Sequence, residues 1–328
     1  MKKILILFFI ALMLVGCSVN NTQQNSEKAS KKKIVTTIYP VYEFTKLVVG
    51  DNDEVVSLIP FGSSAHDYEP TAKDIASIEE ADVFIYHGAE MEPWIDKILA
   101  GLSNKKLLVI NASEGIELAK ATHSHHHHDH DHEHKDHDHK DHEHKHEHHD
   151  HHHGEYDPHV WLAPLNAKAE AKNIADKLSA FDSENGSKYI ENFNKVALEF
   201  DKLHQEFVTG LSNVKQKEIV VSHEAFGYLC NAYGLVQYGV EGIVPTSEPD
   251  PSKMAEIIHF VKDHNISTIF FEELASEKVA AAISKETGAK VAVLNPLETL
   301  TKEQIDAGQN YFSIQRQNLN SLISALVK

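Results

Sequence analysis

Histidine is concentrated in one part of this 328-residue chain, because 18 of its 25 histidines lie between His123 and His153. Asp, Glu and Lys fill nearly all the other positions of this histidine tract, and it contains no apolar residue. Imidazole is a ligand that suits zinc, copper, nickel and cobalt. Because the tract has nothing to bury, it is predicted to be disordered and to bind transition metals weakly. The candidate auxiliary ligands are His125, His126, His127, His128, His151, His152 and His153.

Three histidines outside the tract form a second candidate metal site. His66, His159 and His223 each fall in a loop beside a predicted strand, and they come from both halves of the chain. Ligands of open α/β sheets bind just beyond the carboxyl ends of the strands, so these three side chains are predicted to share one site. Structural or surface positions are predicted for the remaining four histidines, which are His87, His204, His259 and His264.

A carboxylate is the expected fourth group of this site. The segment Leu294–Glu298 follows a predicted strand, and Glu298 or a neighbouring carboxylate can complete four-coordination. Glu272 and Glu273 are the alternatives. Three neutral imidazoles and one carboxylate suit tetrahedral Zn²⁺, whereas a manganese site is expected to use more oxygen ligands.

The elements that must position these groups alternate between short apolar strands and amphipathic helices. This order predicts an α/β fold with two lobes, each a mostly parallel sheet flanked by helices. The predicted bounds are 34–186 for the N-terminal lobe, with the tract 123–153 as an insertion, and 211–328 for the C-terminal lobe. A long helix over 187–210 joins them and is predicted to stop at Gly210. A single terminal helix is predicted from Gln304 to Val327.

The first residues read as an export signal. Lys2 and Lys3 precede the apolar run Ile4–Val15, which is too short to span a bilayer as a helix. Leu14–Cys17 then reads as a lipobox, so 1–16 is predicted to be a signal peptide and Cys17 to be lipidated. Residues 17–33 are predicted to form a flexible tether. The protein is therefore expected outside the cytoplasm, held to the cell membrane by lipid.

Charge and cysteine content narrow the function classes further. The formal net charge is −18, which argues against nucleic acid as a partner. The second of the two cysteines, Cys230, lies in an apolar helical pattern and is predicted to be a core residue rather than a nucleophile. With Cys17 lipidated, no disulfide within the chain is expected.

Four motifs and the lipobox, in this order, resemble those of the zinc-binding substrate-binding lipoproteins of metal ABC importers (the ZnuA/AdcA-like group). The motifs are Ala65–Thr71, Asp157–Trp161, Ser222–Phe226 and Asn295–Glu298. A charged, histidine-rich insertion before the second ligand histidine is typical of the zinc branch. The resemblance covers the whole mature chain.

This resemblance implies two lobes joined by a rigid helix, with Zn²⁺ bound in the cleft between them. It implies His66, His159 and His223 as ligands, while relatives complete the site with a carboxylate, at the position of Glu298, or with water. Manganese-type relatives have an acidic residue at the position of His223, which favours zinc. The implied partner is a membrane permease, and a monomer is expected. Some relatives carry an additional C-terminal zinc domain, which this chain is expected to lack.

Two other functions remain as alternatives. A zinc-dependent hydrolase would use the same three histidines with an open metal position, which a glutamate ligand would close. His142–His146 also matches the HExxH protease motif, but such a match is expected by chance in this tract, and we predict that the chain is not an enzyme. A role as a surface adhesin is the third possibility, since proteins of this type are sometimes described as adhesins.

The tract and the cleft are predicted to be separable. Deleting 124–153 should lower the total number of Zn²⁺ ions bound while leaving one tight site and the fold intact, because an unpatterned tract offers only weak sites. Metal analysis after equilibrium dialysis measures the total, and competition with a chromophoric chelator measures the tight site. Loss of the tight site on deletion would show that the tract supplies a primary ligand.

Overall fold

The computed structural model describes residues 31–121, 154–245, 249–272 and 277–327. The described residues from Lys32 onward form one compact unit. Cys17 and the histidine tract lie outside the described residues, so the roles assigned to them stay predictions. Within the described ranges, no helix combines the length and the apolar content that crossing a bilayer requires.

Within its described residues, the first half contains four strands and four of the helices. Its strands are β1 Lys33–Thr36, β2 Glu54–Ser57, β3 Val83–Tyr86 and β4 Leu108–Asn111. Its helices are α1 Tyr39–Val49, α2 Ala72–Glu79, α3 Ile95–Gly101 and α4 Pro164–Phe181, and a 3₁₀ turn at Val160–Leu162 precedes α4.

The long helix α5, Gly186–Leu211, leads into the second half. The strands there are β5 Glu218–His223, β6 Val236–Glu241, β7 Thr268–Phe271 and β8 Lys290–Val293. The helices are α6 Gly227–Tyr233, α7 Pro251–Asp263, α8 Glu277–Thr287, α9 Lys302–Asp306 and α10 Tyr311–Leu326.

Both sheets are parallel and share one topology. Their strand orders are β2-β1-β3-β4 and β6-β5-β7-β8, so the first strand of each half is central. The predicted α/β fold with two parallel sheets flanked by helices is confirmed. Parallel strands place all their carboxyl ends at one edge, which brings the loops after β2, β5 and β8 to the edges where ligands bind.

Helix α5 packs against both halves. Its apolar face includes Tyr189 and Phe200, and one hydrophobic cluster runs through it from Ile34 in β1 to Val221 in β5. The prediction that Gly210 stops this helix is wrong, because α5 continues to Leu211. A Cβ on Gly210 would lie 2.8 Å from the Ile323 side chain, so the glycine instead allows close packing against α10.

The prediction of one terminal helix is also wrong. The chain forms α9 and α10 with a break between them, where Gly308 has a φ of 80°. Asn310 then caps α10, since its side chain accepts a hydrogen bond from Ser313 N and the Ser313 hydroxyl accepts one from Asn310 N. The left-handed glycine and the new capping box together outweigh the continuous helical pattern of the sequence.

A buried polar cluster holds the opposite edge of the first sheet, at the amino ends of its strands. The Tyr189 hydroxyl lies 2.5 Å from Asp53 Oδ2 and 2.9 Å from Asp182 Oδ2. Lys32 Nζ donates to the same Asp182 oxygen at 2.7 Å. The three residues Asp53, Asp182 and Tyr189 are at most 5% exposed. This cluster ties the start of β1 to the turn between α4 and α5.

Replacing Tyr189 with Phe should therefore destabilise the fold. The substitution takes a hydrogen-bond donor away from two buried carboxylates, and we expect the free energy of unfolding to fall by about 1–3 kcal/mol. Urea denaturation measures this change. Tyr238→Phe is the control, because that half-buried ring packs on Phe260. An equal loss in both variants would contradict a specific role for the Tyr189 hydroxyl.

Candidate metal centre

Four loops or strand ends deliver the side chains of the candidate metal centre. His66 lies in the loop after β2, and His159 directly precedes the 3₁₀ turn at Val160–Leu162. His223 is the last residue of β5, and Glu298 lies in the loop after β8. Three of the four positions therefore follow or end a parallel strand, where the backbone turns away and frees a side chain.

These four side chains meet at one point. Nε2 of His159 lies 3.3 Å from Nε2 of His66 and 3.4 Å from Nε2 of His223. Glu298 Oε1 lies 3.2 Å from Nε2 of each of the three histidines. All four donor atoms lie within 4.8 Å of one another. Among the described residues, this is the only such group of His, Cys, Asp or Glu.

Five of the six distances between donor atoms match those of a tetrahedral metal site. Zinc bonds of about 2.0–2.1 Å in a tetrahedron place neighbouring donor atoms roughly 3.3–3.4 Å apart. The exposed fraction of the side chains is 4% for His66, 0% for His159, 2% for His223 and 10% for Glu298. A cation at the centre would therefore exchange most of its hydration shell for protein ligands.

A carboxylate lies behind two of the three imidazoles. His159 Nδ1 lies 2.8 Å from Asp157 Oδ1, and His223 Nδ1 donates to Glu272 Oε1. A carboxylate only accepts hydrogen bonds, so each Nδ1 carries the proton and each Nε2 is left to face the centre. Such outer partners fix the orientation of a ligating imidazole and raise its basicity.

The loop that carries Glu298 is held from α10. Asn295 N donates to Asn318 Oδ1 at 2.8 Å, and Asn318 Nδ2 donates to Asn295 O at 2.8 Å. Leu297, directly before Glu298, has a φ of 57°, a left-handed conformation that is rare for a branched residue. Strain of this kind persists only where the surrounding structure enforces it, and it is common at functional sites.

The centre is strongly coupled to protons. Burial lowers the pKa of His223, but Glu272 and Glu298 outweigh this effect and raise its pKa to about 10. Burial also opposes the charged form of His159, yet Asp157 and Glu298 raise its pKa. Burial alone would raise the pKa of Glu298, but the three imidazoles hold that pKa well below its usual range. Without a metal ion, the centre therefore favours the protonated forms of His159 and His223.

A cavity of about 470 Å³ adjoins the centre and reaches His223 and Glu298. Its other lining residues include the acidic side chains Asp67, Glu241 and Glu272. Negative charge beside a buried site attracts cations, so this cavity is a suitable approach for a metal ion.

The structure brings together all four residues that the sequence singled out, with Glu298 rather than Glu272 at the centre. Glu272 instead supports His223 from behind and also accepts a hydrogen bond from the Ser222 hydroxyl at 2.6 Å. Glu273 and the auxiliary histidines of the tract lie outside the described residues. Sequence reasoning missed the role of Asp157, although a carboxylate two residues before a candidate ligand is the available signal.

The other predicted assignments can be compared directly. Cys230 is free and buried, and burial raises the pKa of its thiol, as expected of a core residue rather than a nucleophile. His259 and His264 are exposed, whereas His204 is half-buried with its Nδ1 at 3.1 Å from the Tyr233 hydroxyl. His87 is fully buried and lies outside the metal-binding group.

Comparison with known proteins decides the family. The sequence model of the family described as "Zinc-uptake complex component A periplasmic" (ZnuA) matches residues 34–325. The chain belongs to this family. The ZnuA family is a metal-binding component of a transport system and not a family of enzymes.

Two curated relatives and one crystal structure show the extent of the match. The high-affinity zinc uptake system protein ZnuA of Bacillus subtilis is 38% identical over 325 residues, with 98% of this chain and 97% of the relative covered. The zinc-binding lipoprotein AdcA of Streptococcus pneumoniae is 41% identical over 325 residues, but the match spans 98% of this chain and only 60% of AdcA. The Zn(II)-bound ZnuA-like domain of pneumococcal AdcA superimposes with a TM-score of 0.75 at 38% identity, covering 91% of this chain and 100% of that domain.

Metal binding by this ZnuA-family chain should release protons even at a pH where ordinary histidines have already lost theirs. A free imidazole, with a pKa of about 6.5, has lost its proton at pH 8, whereas His223 retains its own. Since a ligating imidazole must be neutral, Zn²⁺ binding at pH 8 should release about one proton or more. Affinity should consequently rise towards pH 10 and fall as the pH drops.

Calorimetric titration with Zn²⁺ in buffers of different ionisation enthalpy measures the number of protons released. Glu272→Gln is the informative variant, because it removes a charge that keeps His223 protonated, and it should release fewer protons at pH 8. Binding of Zn²⁺ to the unmodified protein at pH 8 without proton release would contradict the assignment of His223 to the centre.

Proposed function

We propose that this chain is the extracytoplasmic zinc-binding component of an ABC importer, which binds one Zn²⁺ tightly at the candidate metal centre and delivers it to a membrane permease for uptake. The observation that carries this proposal is the convergence of three imidazole nitrogens and one carboxylate oxygen within 4.8 Å, with five of the six separations at 3.2–3.4 Å. Membership of the ZnuA family and the zinc-binding relatives support it.

The donor set favours zinc over manganese or magnesium. Three nitrogen ligands and one oxygen ligand suit a borderline ion that accepts tetrahedral geometry, whereas manganese and magnesium prefer oxygen-rich sites of higher coordination number. We assign His66, His159, His223 and Glu298 as the four ligands. Because Glu298 brings a negative charge, it also lowers the formal charge of the buried zinc site.

Capture and transport fit this site better than catalysis. A catalytic zinc site keeps one position open for water or substrate, and four protein ligands would fill a tetrahedral zinc ion. Zn²⁺ is therefore the cargo of the protein, and we propose that the chain has no enzymatic activity. The acidic cavity beside His223 would be the route by which the ion enters and leaves.

The remaining parts of the proposal concern location and assembly. We propose that Cys17 carries a lipid that anchors a monomeric protein to the outer face of the cell membrane, which would keep it close to the permease. Residues 34–186 and 211–328 would act as two lobes around the helix 187–210. The histidine tract, 123–153, would provide weak auxiliary sites that collect zinc.

Loss of a ligand should abolish tight binding. We expect His159→Ala to weaken Zn²⁺ affinity by more than the roughly 10–100-fold that loss of an outer partner costs, because it removes a direct ligand. Glu298→Gln keeps the size of the side chain but removes its charge, so affinity should fall by less than for His159→Ala. Competition with a chromophoric chelator measures both values.

His259→Ala is the matched control, because this exposed histidine lies on α7 outside the metal-binding group. It should bind Zn²⁺ like the unmodified protein and restore zinc uptake to cells that lack the gene, while His159→Ala should not. Unchanged affinity in His159→Ala would remove His159 from the site. Water as the fourth ligand in a zinc-loaded structure, with Glu298 turned away, would overturn the assignment of Glu298.

A further inference from the structure

His87 follows β3 and is completely buried, yet it contributes nothing to the metal-binding group. Each nitrogen of its ring lies close to an acceptor oxygen, but only Nε2 makes a hydrogen bond. Nε2 donates to the Pro158 carbonyl at 2.7 Å, and Nδ1 lies 2.9 Å from Glu170 Oε1. Glu170, on the inner face of α4, is also 0% exposed. When two charged groups are buried, the loss of their hydration offsets much of the attraction between them. Stabilisation of the fold is therefore a weak reason for this pair, which points to another role.

The carbonyl that His87 contacts belongs to the peptide bond between Pro158 and the ligand His159. A peptide bond is planar, so its carbonyl oxygen and its N–H are fixed together. His87 donates to the oxygen, which also accepts a hydrogen bond from Val160 N at 2.8 Å, while the N–H of His159 donates to Asp157 Oδ1 at 2.9 Å. Holding both ends of this plane fixes the direction in which the His159 side chain leaves the backbone.

The loop that carries His87 is itself rigid. Glu92, only 3% exposed, accepts hydrogen bonds from His87 N at 2.8 Å and from Gly88 N at 3.0 Å. The Thr37 hydroxyl, just after β1, donates to the same carboxylate at 2.5 Å. The backbone position of His87 is therefore tied to the central strand of the first sheet.

The same loop contacts the His159 segment at a second place. Glu90 Oε2 accepts a hydrogen bond from Tyr156 N at 3.0 Å. Ala89 and Glu90 in this loop adopt left-handed backbone conformations with φ values of 49° and 66°. Such conformations are unfavourable for residues with a Cβ, and they persist where the surrounding structure requires them.

We propose that His87 is a positioning residue of the metal centre: by gripping the Pro158 carbonyl, with Glu170 behind it, it sets the orientation of His159. This inference rests on the proposed zinc-binding function. His87 does not touch the metal ion, and its effect passes through one peptide bond. The ligand geometry, rather than the fold alone, should therefore depend on a hydrogen-bond donor at position 87.

A single substitution of His87 would leave the Glu170 carboxyl group buried without its partner, and the protein would then be at risk of not folding. The test uses two double variants that both remove the charges and differ only at position 87. His87→Gln with Glu170→Gln keeps an amide donor for the Pro158 carbonyl. His87→Leu with Glu170→Gln has no side-chain donor there and leaves the backbone N–H of Val160 as a donor to that oxygen. Glu170→Gln alone keeps the imidazole.

Zn²⁺ affinity is measured on the mature protein by chelator competition. The absorption spectrum of the Co²⁺ form reports the ligand geometry, because tetrahedral Co²⁺ absorbs far more strongly than five- or six-coordinate Co²⁺. The Leu double variant should bind Zn²⁺ about 10–100-fold more weakly, as for loss of an outer partner, and show weaker Co²⁺ absorption. The Gln double variant and Glu170→Gln should stay within about 3-fold of the unmodified protein, because a side-chain donor to the Pro158 carbonyl remains at position 87.

Tyr189→Phe separates this effect from general destabilisation, since it disturbs a buried cluster at the opposite edge of the sheet and should leave Zn²⁺ affinity and the Co²⁺ spectrum unchanged. Equal Zn²⁺ affinity and equal Co²⁺ spectra in the two double variants would overturn the inference and leave the proposed function standing. Failure of the unmodified protein to bind Zn²⁺ tightly would overturn both.

Discussion

The fold is organised around one electrostatic constraint, which is that three imidazoles and one carboxylate converge in a space with almost no solvent. Nitrogen lone pairs at such short separations repel one another unless a cation or protons lie between them. In the absence of a metal ion, bound protons relieve this repulsion, in agreement with the raised pKa of His223. Because the same atoms are spaced for a tetrahedral ion, protons and metal compete for one set of lone pairs.

That convergence depends on hydrogen bonds between the two halves. The Trp161 indole, two residues after His159, donates to the Pro296 carbonyl at 2.8 Å, two residues before Glu298. The Tyr311 hydroxyl on α10 donates to the Trp161 carbonyl at 2.7 Å, and Gln315 Nε2 donates to the Leu162 carbonyl at 3.1 Å. The turn with His159 belongs to the first half in sequence, but α10 of the second half holds it.

The supporting carboxylates serve two purposes at once. Asp157 and Glu272 orient the imidazoles of His159 and His223, and they also increase the affinity of those rings for protons. A site built in this way gains fixed geometry but loses apparent metal affinity as the pH falls. The buried pair of His87 and Glu170 lies one layer further out, against the peptide bond of His159.

The sequence by itself determined the fold class and singled out the three histidines that meet at the candidate metal centre, because period-two and helical apolar patterns are local signals and because histidines beside strand ends share one edge of a sheet. It placed α9 and α10 in one helix and a stop at Gly210, since a helical pattern does not reveal a left-handed Gly308 or the close approach of Ile323. Only the tertiary structure decided that Glu298 meets the histidines while Glu272 stands behind His223, and that His87 faces Pro158. These assignments depend on distances between residues far apart in the chain, and such distances are fixed by packing rather than by the local pattern.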